Sequence, residues 1–254
     1  MRNMFWVTAI LGLSLGFPAA HAVEIESSTT QYLSFRECVA GETPCDRFKA
    51  TNTSKIDGLP GSRDSQASHD EEGFGSASGR TELSRQAFGS EHHAQAASVA
   101  GTRVGSNGFM IQKYSNNTEQ SQTLTFRGTL VFKQTIPESD AEIPEGSLGG
   151  SGANAELGAF RYSKEKIEAG ATAEDNFRLL LSGPKDEANL TDLGFKGSDQ
   201  SHNQSGDGTQ VVSVSVTTSP GESTWFWAGL QSLAANGAEV TAHFTTELVV
   251  TGVD

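Results

Sequence analysis

The stretch Trp225-Phe226-Trp227-Ala228-Gly229-Leu230-Gln231-Ser232-Leu233-Ala234-Ala235-Asn236-Gly237-Ala238-Glu239-Val240-Thr241-Ala242-His243-Phe244-Thr245-Thr246-Glu247-Leu248 decides the architecture of this chain. Asn236-Gly237 separates two strand-like runs. Asn and Gly together supply the two positive φ values of a type I′ turn, the strongest short-range hairpin signal. With these two residues as the loop, the register is predicted. Ala235 faces Ala238, Leu233 faces Val240, Gln231 faces Ala242 and Gly229 faces Phe244. Trp227 then faces Thr246, and Trp225 faces Leu248. Cross-strand partners share a sheet face, so both tryptophans are expected on the core side with Val240, Ala242, Phe244 and Leu248. Phe226, Ala228 and Leu230 fall on the opposite face with Glu247, Thr245 and His243. A slip of one residue would exchange the two faces.

Working outward, the same two-residue period recurs. Leu124, Phe126, Leu130 and Phe132 alternate with Thr123, Thr125, Arg127, Thr129 and Lys133. Val212, Val214 and Val216 alternate with Ser213, Ser215 and Thr217. Such runs are half-buried strands, one face on a core and one in water. A second hairpin is expected at Asn107-Gly108, joining strands around 94–105 and 109–114. Further strands are expected at 25–35, 74–83, 157–163 and 176–182. The best helix candidate is one short turn at 164–169. About nine or ten mostly antiparallel strands predict an all-β fold, a two-sheet antiparallel β-sandwich of jelly-roll type. Residues 49–72 and 136–155 are rich in turn formers and are expected to be mobile loops within a single domain spanning 23–254.

Residues 1–22 read as a signal peptide. Arg2 is a short basic n-region, an apolar run follows from Phe5 to Leu15, and Ala20-His21-Ala22 is a small-x-small cleavage pattern. The expected product is secreted, periplasmic or extracellular. The chain carries two cysteines, Cys38 and Cys45, with Gly41 and Pro44 between them. In an exported protein this spacing favours a disulfide worth about 2–3 kcal/mol. A formal net charge of -13 argues against nucleic acid and anionic membranes as partners. No later apolar run has the length of a membrane span.

The chemical motifs are mostly missing. Gly75-Ser76-Ala77-Ser78-Gly79 has Ala where a nucleophile elbow needs Ser. No G-x-G-x-x-G, Walker A or H-E-x-x-H pattern occurs. Glu91-His92-His93 is the densest histidine cluster, with His69-Asp70-Glu71-Glu72 upstream. Neighbours on a strand point to opposite faces, so His92 and His93 do not share a metal from an extended segment. Residues 199–210 alternate oxygen donors but carry Gln204 and Gln210 where an EF-hand loop needs Gly and Glu. Ca²⁺ at an acidic loop is therefore left open, and no catalytic, cofactor-binding or metal residue is assigned. Trp225, Phe226 and Trp227 raise the question of a sugar platform. The predicted register sends the tryptophans inward and leaves Phe226, with Leu230 and His243, as the contact-surface candidate.

Val212-Ser213-Val214-Ser215-Val216, Pro220-Gly221-Glu222-Ser223-Thr224-Trp225-Phe226-Trp227-Ala228 and Phe244-Thr245-Thr246-Glu247-Leu248 together resemble exported bacterial β-sandwich proteins of the PEP-CTERM-associated type. The run 94–100 and the strand 121–132 are similar to the same group. The C-terminal sorting tail of that group does not follow Val253-Asp254. The resemblance implies a secreted, non-enzymatic surface or extracellular-matrix protein. The alternative is a carbohydrate-binding or carbohydrate-active jelly-roll module. Extracellular polysaccharide or other surface proteins are the expected partners.

Overall fold

The computed structural model describes residues 27–38, 48–58, 61–85, 87–137, 150–162, 190–198 and 205–252. Twelve strands run through them: β1 (Ser27–Cys38), β2 (Phe48–Asp57), β3 (Asp64–Glu71), β4 (Gly75–Leu83), β5 (Gly89–Ser98), β6 (Thr102–Ser115), β7 (Gln122–Thr135), β8 (Gly152–Tyr162), β9 (Leu190–Gly197), β10 (Gly206–Thr218), β11 (Ser223–Ala235) and β12 (Glu239–Gly252). They form two six-stranded antiparallel sheets. Sheet A has the order β2-β1-β6-β11-β8-β9, and sheet B the order β10-β7-β12-β5-β4-β3. From β5 to β12 the chain crosses between the sheets at every connection except β8–β9. That alternation is a jelly roll. The first four strands extend it, β1 and β2 beyond β6 in sheet A, and β3 and β4 beyond β5 in sheet B.

The alternating runs build the core between the sheets. Leu124, Phe126, Leu130 and Phe132 of β7 point inward, as do Val212, Val214 and Val216 of β10 and Val240, Ala242 and Phe244 of β12. Sheet A answers with Leu33, Phe35, Met110, Leu157, Phe226 and Leu230. Each large side chain removed from water here contributes about 1.5–3 kcal/mol. Both sheets are therefore held by the same apolar layer.

The Asn236-Gly237 turn forms, but it does not make a hairpin. Asn236 has φ 53° and Gly237 φ 86°, and Ala238 N–H donates to the Ala235 carbonyl at 3.1 Å. The strands that leave the turn then diverge into opposite sheets. β11 pairs with β6 and β8, and β12 pairs with β5 and β7. The partner of this arch is the other arch, β5 to β6, whose connection lies beside it. Asn236 N–H donates to Thr102 O, Gly101 N–H to Asn236 Oδ1, and Gly237 N–H to Ser98 Oγ. The two crossovers thus satisfy one another's backbone groups, which an isolated hairpin would satisfy internally.

Two expectations fall with the hairpin. The predicted register is replaced by Trp227↔Ile111 and Trp227↔Gly158, so Phe226 faces the central core and the tryptophans face outward. Asn107 and Gly108 lie in mid-strand of β6, and their neighbours in β5 and β6 belong to different sheets. Within 49–72, expected as loop, the chain instead forms β2 and β3. Residues 1–22, the strand 176–182, the helical turn 164–169, Cys45 with its pairing to Cys38, and most of the loop 136–155 lie outside the described residues.

Candidate functional site

The outer face of sheet A buries its aromatic side chains among the described residues. Phe109, Ile111, Phe160, Trp225 and Trp227 make a second apolar cluster there, each no more than 7% exposed. Trp227 stacks against Phe109 and against Phe195, with ring centroids 5.9 Å apart in both cases. Lys113 Nζ lies 5.9 Å from the Trp225 ring centroid. Phe226, the contact candidate from sequence, is fully buried between the sheets against Phe88 and Phe126.

A second polar constellation lies inside the sandwich. Ser90 Oγ is 2.8 Å from His92 Nε2, the spacing of an activated nucleophile. His92 is fully buried and Ser90 nearly so. Burial pushes the His92 imidazole down to about 3, against a smaller opposing contribution from the Gly108 backbone. Both side chains are closed to solvent in this structure.

The outer face of sheet B is open. Its strands set side chains in straight cross-strand rows, because antiparallel partners stand side by side on one face. One row runs Gln66, Arg80, His93, His243, Val131 across five strands. The row above it carries Ser68, Ser78, Gln95, Thr241, Lys133 and Asp207. The row below carries Asp64, Glu82, Glu91, Thr245 and Thr129. A groove of about 590 Å³ crosses this face, lined by Gln66, Arg80, His93, Gln95, Lys133 and His243 among others.

The acids at one end of the groove are already engaged. Arg80 binds both oxygens of Asp64 at 2.9 Å and reaches Glu82 at 2.8 Å. Its guanidinium holds the Asp64 carboxyl below the usual carboxylate range, chiefly through that hydrogen bond. In the middle of the groove His93 and His243 are direct partners across β5 and β12, their rings stacked at 4.1 Å and 10°. Burial, and then the neighbouring His93, lowers the basicity of His243. Glu91, two residues from His93 on the same face, joins them, and the ligating atoms of all three lie within 4.8 Å of one another.

The histidine cluster seen in the sequence is thus split three ways. His69 sits near the sheet edge, 2.6 Å from Glu71 and edge-on to Phe35. His92 turns into the core and His93 turns out. The missing partner is His243, 150 residues beyond His93 in the sequence, and only the β5–β12 register brings it in. Residues 199–204 of the oxygen-rich segment lie outside the described residues, and Asp207 stands at the start of β10.

No family model matches this chain, and no curated protein matches it. Solved structures do. One is a chain from a study of CBM4 structure and function, at 7% identity and TM-score 0.23, covering 74% of this chain and 78% of that one. Another comes from work on the promiscuous specificity of carbohydrate-binding modules of the β-sandwich superfamily, at 9% identity and TM-score 0.27, covering 86% and 84%. A third is the enzymatically active domain of the bacteriophage CBA120 tailspike protein 4, at 7% identity and TM-score 0.25, covering 74% of this chain and 20% of that one.

Proposed function

We propose that this chain is a secreted, non-catalytic β-sandwich protein of the cell surface or extracellular matrix that holds a polysaccharide in the groove on sheet B. One observation carries the reading: planar hydrogen-bonding groups and apolar surface converge in a single open groove. Gln66 and Gln95 offer planar hydrogen-bonding groups, and Lys133 and Asp207 add a donor and an acceptor at one end. Val131 and the stacked imidazoles supply the apolar part. A sugar ring has an apolar C–H face and a hydroxyl edge, so it needs both kinds of contact. Pockets for small polar ligands combine them in this way.

The non-catalytic part of the reading rests on accessibility and charge. The Ser90–His92 pair is sealed in the core, and Asp64 and Glu82 are held by Arg80. Export rests on the signal-like residues 1–22. The test is a glycan array probed with the purified protein, then repeated with Gln95→Ala and Lys133→Ala. Saturable binding to a polysaccharide that both variants weaken supports the groove. Binding that both leave untouched, or no binding to any glycan, removes it and leaves a structural role.

A further inference from the structure

We propose that Glu91, His93 and His243 form a zinc site on the outer face of the β5–β12 ladder. This goes beyond the polysaccharide reading and does not depend on it. Two imidazoles and one carboxylate are a donor set that zinc takes in open sites, with water at the fourth position. Their ligating atoms already lie within 4.8 Å of one another. Tetrahedral zinc with bonds of about 2.0–2.1 Å needs neighbouring donors roughly 3.4 Å apart. Imidazole lone pairs lie in the ring plane, so metal binding would swing the two stacked rings apart about their side-chain torsions until both point at the ion.

The backbone supports that geometry. His93 and His243 are opposite one another on two strands that each have a hydrogen-bonded neighbour on both sides. Glu91 faces Thr245 on the same side of the sheet and lies diagonally from His243. The Nε2 atom of His243 is shielded from solvent and has no hydrogen-bond partner. A shielded imidazole nitrogen without a partner is costly, and a metal ion would relieve that cost. The nearby cation is Arg80, opposite His93 on β4. Its direct contacts go to Asp64 and Glu82, and Glu91 acts on it only electrostatically. Neutral imidazoles bind metal without first losing a proton.

The experiment is calorimetric titration of the chelator-treated full chain with Zn²⁺. A parallel titration with Co²⁺ follows the visible absorption of tetrahedral cobalt. One zinc per chain is expected, with affinity falling at least about tenfold in His93→Ala and in His243→Ala. Glu91→Gln should weaken binding and alter the cobalt spectrum, and His69→Ala should change neither. Glu91, His93 and His243 lie on the outer face, so metal-free melting curves of their variants should match the parent and exclude misfolding as the cause. No stoichiometric zinc, or zinc bound equally well by His93→Ala and His243→Ala, overturns the proposal. Glycan binding is not part of this readout, so the two proposals fail separately.

Discussion

Thr81 Oγ1 and His92 Nδ1 lie 3.3 Å apart in the middle of the sandwich, at the centre of a hydrogen-bonded chain that joins the two sheets. Thr246 Oγ1 accepts from Ser90 N–H at 2.9 Å and shares a hydrogen bond with Ser90 Oγ at 2.7 Å. Ser90 Oγ in turn lies 2.8 Å from His92 Nε2, and the imidazole also meets the Gly108 backbone. Thr81 O–H donates to Gln31 Oε1, Gln31 Nε2 to Ser106 Oγ, and Ser106 O–H to the Ser78 carbonyl. A neutral His92 with its proton on Nδ1 completes the chain from Thr246 to Gln31. Buried polar networks are stabilising when complete and costly when broken.

Stability therefore falls with acid in a defined window. The folded imidazole is pushed down to about 3, below its ordinary 6.5. Between those values the unfolded chain binds a proton and the folded chain does not, so stability rises with pH. The slope is on the order of 1.4 kcal/mol per pH unit. The full contribution is present above pH 6.5 and is lost progressively as pH falls through the window. Urea unfolding between pH 8 and pH 5 should show the slope. His243, also lowered and within electrostatic reach of His92, adds to it with the same sign. A parallel series on His243→Ala isolates the part due to His92, and a flat series in that variant would refute this account.

Gly108→Ala should destabilise by about 2–3 kcal/mol. A Cβ at this position would stand 2.2 Å from Thr81 Oγ1 and 2.8 Å from Gln31 Oε1, inside the same network. The chain has no slack there, because both neighbours are already hydrogen-bonded. Denaturant midpoints of the variant and the parent decide the matter, and an unchanged midpoint would count against the network as described.

Phe226→Ala and Trp227→Ala should each cost about 3–5 kcal/mol, although they stand on opposite faces of one strand. Phe226 loses its contacts with Phe88 and Phe126, and Trp227 loses those with Phe109 and Phe195. Equal losses in thermal melting mean that sheet A is packed on both faces. A loss confined to Phe226→Ala would mean that the outer cluster adds little.

Asn236→Ala should cost about 1–2 kcal/mol. It places a residue less tolerant of φ 53° at the turn and removes the acceptor for Gly101 N–H at 3.0 Å. Hydrogen exchange at Gly101 is the direct readout: faster exchange in the variant is expected, because that amide ties the two crossovers together.

Part of this fold is legible in the sequence. Strict alternation in β7, β10 and β12 identifies which side chains enter the core, and Val212, Leu124 and Phe244 are where it puts them. The sequence around Trp225 is less decisive. Apolar residues occupy both faces of β11, since sheet A has a core on each side, so no alternation marks which face is inner. The sequence assigned no metal residue, and His93 and His243 illustrate the reason. His93 reads as half of an adjacent pair whose two rings point to opposite faces, and His243 as a single histidine on the wet side of its strand.

The residues by themselves determined the half-buried strands, because a two-residue period follows from sterics within a few residues of chain. They did not determine the fate of an Asn-Gly pair: Asn236-Gly237 takes positive φ, and Asn107-Gly108 runs extended in β6. Tertiary structure decided which strand lies beside which. The turn at Asn236-Gly237 has its expected backbone, yet its two strands enter different sheets because β6 and β5 offer them partners and a shared core. The register that sets His93 against His243 comes from that long-range pairing.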